Sequence, residues 1–238
     1  MNILIVILIL ILILIIQYTT KEKFTQLPKM RAFIINGDKD GDNQSGRIKE
    51  RWDRTKDICS DVLGLDCQRV PAYYVTSNMK EDIKSKCGKS FMNESVHLRY
   101  VIGCKNAHRK ALESVIQHGE RSIIFEDDII LPLNTNDVVS KIKDFIEENT
   151  NKDLAYLGHW ENKWNMHAYI VSPEAAKKLL DSIDWCNKIP VDVLMAEQCK
   201  SNLNCVYAKD YKGEKPENSW SNGIILQEGE PLREHYDF

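Results

Sequence analysis

Three carboxylates in a row, Glu126-Asp127-Asp128, follow directly on the apolar run Ile123-Ile124-Phe125. Acidic groups so close to a buried strand repel one another and lose solvation unless water, hydrogen bonds or a cation offsets the cost. In an extended segment residues i and i+2 point the same way, so Glu126 and Asp128 face one place and Asp127 another. Hard carboxylate oxygens suit Mn²⁺ or Mg²⁺, and such an ion can bridge a diphosphate and neutralise charge on a leaving oxygen. Asp128 is the first candidate metal ligand, with Glu126 in the same shell or on a ribose and Asp127 close behind. A solvated acidic turn is the plainer reading, and nucleases and phosphotransferases also carry adjacent acids.

Other side chains offer complementary chemistry. Asp192, two residues after Pro190 at an expected loop-to-helix junction, suits a general base that deprotonates a hydroxyl; a plain helix N-cap is the alternative. His108 stands near the start of an expected helix, on its apolar face, as a site residue or as a satisfied core histidine. Arg51 and Arg54 can pair with diphosphate oxygens or simply sit on a solvated helix. Trp160, Trp164 and His167 suit a sugar-stacking wall or core filling.

The elements that must position these groups alternate between strand and helix patterns, which points to a mostly parallel sheet flanked by helices. Strands are expected over 31–36, 70–75, 122–125, 154–157, 168–171 and 204–208. Helices are expected over 48–63, 103–117, 137–148 and 193–200, with another opening at Ser172-Pro173, where Ser caps and Pro takes the first helical position. Gly119 ends the helix that carries His108. Residues 76–94 read as an extended loop, and the polar stretch from Tyr211 reads as a loosely ordered tail able to fold over the site.

The net charge of −3 over 238 residues argues against a general polyanion or nucleic-acid binder. Ile3 to Ile16 are fourteen consecutive aliphatic residues, short of the roughly 20 that span a bilayer. With no cleavage site after them, they read as an uncleaved N-terminal signal anchor in a hydrophobic helix, ahead of the alternatives of a cleaved signal sequence or a tilted membrane-surface segment. The chain then divides into a hydrophobic anchor and linker (1–24), an α/β domain (25–210) and a polar tail (211–238). Seven cysteines without a CxxC pair give little support to a zinc ribbon or thioredoxin motif. Some can form disulfides in an oxidising compartment.

Four blocks in order, Gly103-Cys104-Lys105-Asn106-Ala107-His108, Ile124-Phe125-Glu126-Asp127-Asp128, His167-Ala168-Tyr169-Ile170-Val171-Ser172 leading into Lys177-Lys178-Leu179-Leu180, and Pro190-Val191-Asp192, make the chain resemble glycosyltransferase family 25. That group contains lipooligosaccharide sugar transferases and collagen galactosyltransferases. The resemblance covers about residues 31–192. It implies a GT-A type fold, a nucleotide-sugar donor (commonly a UDP-sugar), Mn²⁺ or Mg²⁺, and a hydroxyl acceptor on a glycan or protein. It also implies donor contacts from Asn36, Arg51, Arg54, His108 and Glu126, metal ligation by Asp128 and Glu126, catalytic roles for Asp192 and Asp127, and acceptor contacts from Trp160 and His167. Lysines just after the span would hold the domain in the cytosol, whereas analogy with single-pass members favours a membrane anchor facing an endomembrane lumen, so both orientations stay open. Gly37 stands where the family has Leu, and Ala107 where it has Ser. The competing readings are a non-catalytic carbohydrate-binding scaffold of the same fold and a metal-dependent hydrolase, which for glycosides needs two carboxylates across a bond.

Overall fold

The computed structural model describes residues 30–38, 47–73, 96–159, 166–184, 186, 187 and 189–228, with Ile11 alone from the leader. The expected loop at 76–94, Trp160 and Trp164 lie outside the described residues.

The chain runs β1 (Arg31–Asp38), α1 (Arg47–Asp57), a π-helical turn (Ile58–Val62), β2 (Asp66–Tyr73), α2 (Val96–His118), β3 (Ser122–Glu126), β4 (Ile129–Ile130) and α3 (Thr135–Glu148). It continues through β5 (Leu154–His159), β6 (Ala168–Val171), α4 (Pro173–Ser182), α5 (Val191–Ser201), β7 (Cys205–Tyr207), β8 (Ser219–Trp220), β9 (Asn222–Gly223) and β10 (Leu226–Glu228). Seven strands form the main sheet in the order β2-β1-β3-β6-β5-β7, with β9 paired to β5; β4, β10 and β8 form a small second sheet.

The sheet is mixed, which corrects the expectation of a mostly parallel one. β1 pairs parallel with β2 and β3, and β5 with β7, whereas β6 runs antiparallel to both β3 and β5. β5 and β6 both read as apolar runs, and strand direction is set by how the intervening chain returns rather than by that pattern.

Period-two alternation sorts the strand residues onto two cores. Ala32, Ile34, Ile123 and Phe125 pack on one face against Val138, Ile142 and Ile146 of α3 and Cys59 and Leu63 near the π turn. Phe33, Ile35, Ile124 and Tyr169 pack on the other face against Ala107, Ala111, Leu112 and Val115 of α2, with α4 and α5 completing the layer. The ends are cleanly set. Ser172 accepts the Ala175 amide at 3.1 Å ahead of Pro173, and Gly119, at φ +78°, donates to the Val115 carbonyl at 3.0 Å and closes α2.

No helix among the described residues is long and apolar enough to cross a membrane. The longest of them, α2, has 23 residues but carries Lys105, Arg109, Lys110 and Glu113. The leader expected to be the anchor lies outside the described residues apart from Ile11. The single-pass signal anchor, the membrane as partner and the endomembrane location are accordingly withdrawn.

Candidate active site

β1 and β3 run parallel at the centre of the sheet, so their carboxyl ends open on the same edge, with Ile35 beside Glu126. The next residues are therefore neighbours, and this register brings Asn36 to Asp127. Asn36 is fully buried. Its amide donates to Asp127 Oδ2 at 2.7 Å and to the Ile48 carbonyl at 3.2 Å, while its Oδ1 accepts from Arg69 Nε at 2.9 Å. Asp127 Oδ2 also accepts the Gly37 amide at 3.1 Å, Arg51 lies 3.5 Å from Oδ1, and the Thr55 hydroxyl donates to the Asp127 carbonyl at 2.9 Å. Asp127 is thus the tie between β1, β3 and α1, compensated on both carboxylate oxygens.

Glu126 projects to the opposite face, as alternation requires. Its Oε1 lies 3.1 Å from His108 Nε2, and His108 Nδ1 lies 2.9 Å from the Tyr169 hydroxyl. His108 occupies the middle of α2, not its start, and is 1 % exposed. Burial pushes its pKa down to about 4, so the ring is neutral at neutral pH. Burial first, then repulsion from Asp127 and Asp192, pushes Glu126 up to about 8. The Glu126–His108 contact is therefore a neutral hydrogen bond sharing one proton, not an ion pair. Cys104, one helical turn before His108, completes a trio whose donor atoms all lie within 4.8 Å of one another. The residue is exposed, yet its thiol is closely ringed by protein; desolvation, then Glu126, Asp192 and Asp128, raises its pKa well above the ordinary thiol value.

Asp128 takes a third environment. Its Oδ2 accepts from Gln227 Nε2 at 2.9 Å and its carbonyl accepts the Glu228 amide at 2.8 Å, whereas its Oδ1 is buried with no partner. Burial, then Glu126, pushes its pKa up to about 7. Glu228 accepts both Arg54 guanidinium nitrogens, at 3.0 and 2.9 Å, and lies 3.7 Å from Arg51. The segment carrying β8 to β10 thereby crosses the acidic end of β3 and fastens to α1. The expected loosely ordered tail is, through Glu228, built into the site.

Asp192 lies in the first turn of α5, with Pro190 in the cap position. Its charge acts on His108, Glu126 and Cys104, in each case after the larger effect of burial. The side chain of His167 is fully buried, with Nε2 at 2.9 Å from the Ile225 carbonyl and 3.3 Å from the Ser221 hydroxyl. Its side chain packs beneath the β9–β10 crossing, while its carbonyl accepts the Glu126 amide at 2.8 Å. Thus Asn36, Arg51, Arg54, His108, Glu126, Asp127 and Asp128 are gathered by contacts at the carboxyl ends of β1 and β3, Asp192 acts on that group through its charge, and Trp160 is outside the described residues.

Five participants went unread in the sequence. Cys104 had a legible signal in its i, i+4 spacing from His108, and Tyr169 lay inside a block already singled out. Arg69, Gln227 and Glu228 had none, because only the third dimension brings them to β3.

A family model described as glycosyltransferase family 25 (LPS biosynthesis protein) matches residues 47–165, half of the chain. That span runs from α1 through the acidic run to the end of β5. No curated protein matches the chain.

Proposed function

Since the chain belongs to glycosyltransferase family 25, we propose that it moves a sugar from a nucleotide-sugar donor, a UDP-sugar by preference, to a hydroxyl acceptor on a glycan or protein. The catalytic unit is a GT-A type domain that extends past residue 210 to Glu228. The observation that carries this reading is the Asp128 carboxylate, with one oxygen buried and unpartnered at the carboxyl end of a central parallel strand. Ligands of open α/β sheets gather at such strand ends.

The same atom is the test of whether Mn²⁺ or Mg²⁺ fits. An orphaned carboxylate oxygen beside a second carboxyl whose proton a cation can replace is a hard, anionic donor pair suited to such an ion. Asp128 and Glu126 would hold it, and it would supply charge neutralisation for the diphosphate leaving group.

The protein's own groups do the rest. Asn36, Gly37 and Asp127 orient Arg51 at the cleft edge. Arg51 and Arg54 now rest against Asp127 and Glu228, and donor phosphates compete with those carboxylates for the guanidinium forks. Asp192 takes the acceptor proton as general base. Positioning and fixed charge provide most of the acceleration.

Calorimetric titration of UDP into the full chain, with and without Mn²⁺, tests this beside Asp128→Asn. Binding should require the metal and be lost in the variant. Absence of UDP binding under either condition would sink the nucleotide-sugar reading.

A further inference from the structure

Cys104, His108 and Glu126 bring a thiol, an imidazole nitrogen and a carboxylate oxygen within 4.8 Å of one another. This donor set differs from the all-oxygen pair at Asp128. Sulfur with imidazole nitrogen selects borderline and soft cations, whereas Mg²⁺ and Mn²⁺ favour oxygen. We propose that this trio is a site for a thiophilic divalent cation of the Zn²⁺ class, sharing Glu126 with the oxygen pair at Asp128 and leaving the fourth tetrahedral position open to water or a ligand.

The geometry is close to what such an ion needs. Tetrahedral zinc bond lengths of about 2.0 to 2.3 Å place neighbouring donors about 3.2 to 3.7 Å apart. His108 Nε2 and Glu126 Oε1 are already 3.1 Å apart. The thiol has to close by no more than about 1 Å, within reach of a side-chain rotation. Cys104 and His108 are one turn apart on the same rigid helix, so the pair is preset by α2 itself.

The second layer is also in place. Tyr169 holds His108 Nδ1 at 2.9 Å, which fixes the ring and turns Nε2 towards Glu126, the outer contact that metal-bound histidines use. Asp128 and Asp192 act on Cys104 and add negative potential. Cys59, Cys67, Cys186, Cys199 and Cys205 are all disulfide-bonded, whereas Cys104 is a free, exposed thiol. Three protein ligands with one position open is the layout of a reactive or regulated zinc site, in contrast to the closed four-ligand structural kind.

The site shares Glu126 with the oxygen pair at Asp128, but its test needs neither donor nor acceptor, so its failure and that of the glycosyl-transfer reading are distinguishable. Anaerobic titration of Co²⁺ into the metal-free full chain, followed by absorption, reads the ligands directly. The expected result is a saturating near-ultraviolet thiolate-to-cobalt band that Zn²⁺ abolishes by displacement. Cys104→Ala should lose the band with the circular dichroism unchanged, and Asp128→Asn should keep it. No thiolate band in the parent chain, or a band that survives Cys104→Ala, overturns the proposal. A band lost in Asp128→Asn also overturns it, since the ion would then belong to the acidic run.

Discussion

At the scale of single residues, the acidic run separates into three chemically different carboxyls. Asp127 is compensated by Asn36, Gly37 and Arg51. Asp127→Asn places an amide donor among donors, and urea unfolding should show a loss of about 1 to 3 kcal/mol. Glu126 and Asp128 behave oppositely. Their folded pKa values of about 8 and about 7 lie above the ordinary 4.5 and 3.8. The folded state therefore holds these protons more tightly, and stability falls as pH rises from the ordinary values to the raised ones. His108, lowered to about 4 from 6.5, works the other way, but only below 6.5. Lys105, lowered to about 8 from 10.5, acts only above about 8. Between about pH 6.5 and 8 the two carboxyls dominate among the shifted groups, so the melting temperature of the metal-free chain should drop across that window. Glu126→Gln should flatten the drop; an unchanged profile in that variant would remove Glu126 as its source.

At the scale of elements, the crossing of β8 to β10 over β3 depends on close approach and on charge. A Cβ at Gly158 would fall 2.0 Å from His167 Nε2 and 2.5 Å from the Ile225 carbonyl. The backbone contact cannot yield as a flexible side-chain tip would. Gly158→Ala should therefore destabilise by about 1 to 3 kcal/mol or more, measured by thermal melting. The forked Arg54–Glu228 pair fastens the same crossing to α1. Glu228→Ala should speed hydrogen exchange in β8 and β10 while leaving the amides of β1 and β3 protected. Uniform exchange changes across the chain would mean that the pair supports the whole fold instead of this one crossing.

At the scale of the whole molecule, two short-range disulfides brace the sheet margins. Cys59–Cys67 ties the π turn to β2, and Cys199–Cys205 ties α5 to β7. Loops of eight and six residues remove little unfolded-state freedom, so each bond should contribute about 2 to 3 kcal/mol. Double Cys→Ala variants in each pair, compared by chemical unfolding, measure this. The two apolar cores on either side of one mixed sheet hold the rest, and the site sits at the carboxyl ends of β1 and β3, with Tyr169 of the second core supporting His108.

Sequence by itself determined the alternation of strands and helices, the capped start of α4, the glycine stop of α2 and the splayed directions of Glu126 and Asp127, because each follows from local periodicity or backbone sterics. It also carried the family, through short blocks whose order survives without three-dimensional information. It misled on the sheet, since β6 reads as an apolar run whichever way it runs. The tertiary structure alone decided that Asn36 would meet Asp127 across parallel strands, that Arg69 would close that network from β2, and that Gln227 and Glu228 would return about a hundred residues later to cover Asp128. Those contacts are made between segments far apart in the chain, where strand register and chain return, not local residue preference, decide which side chains touch.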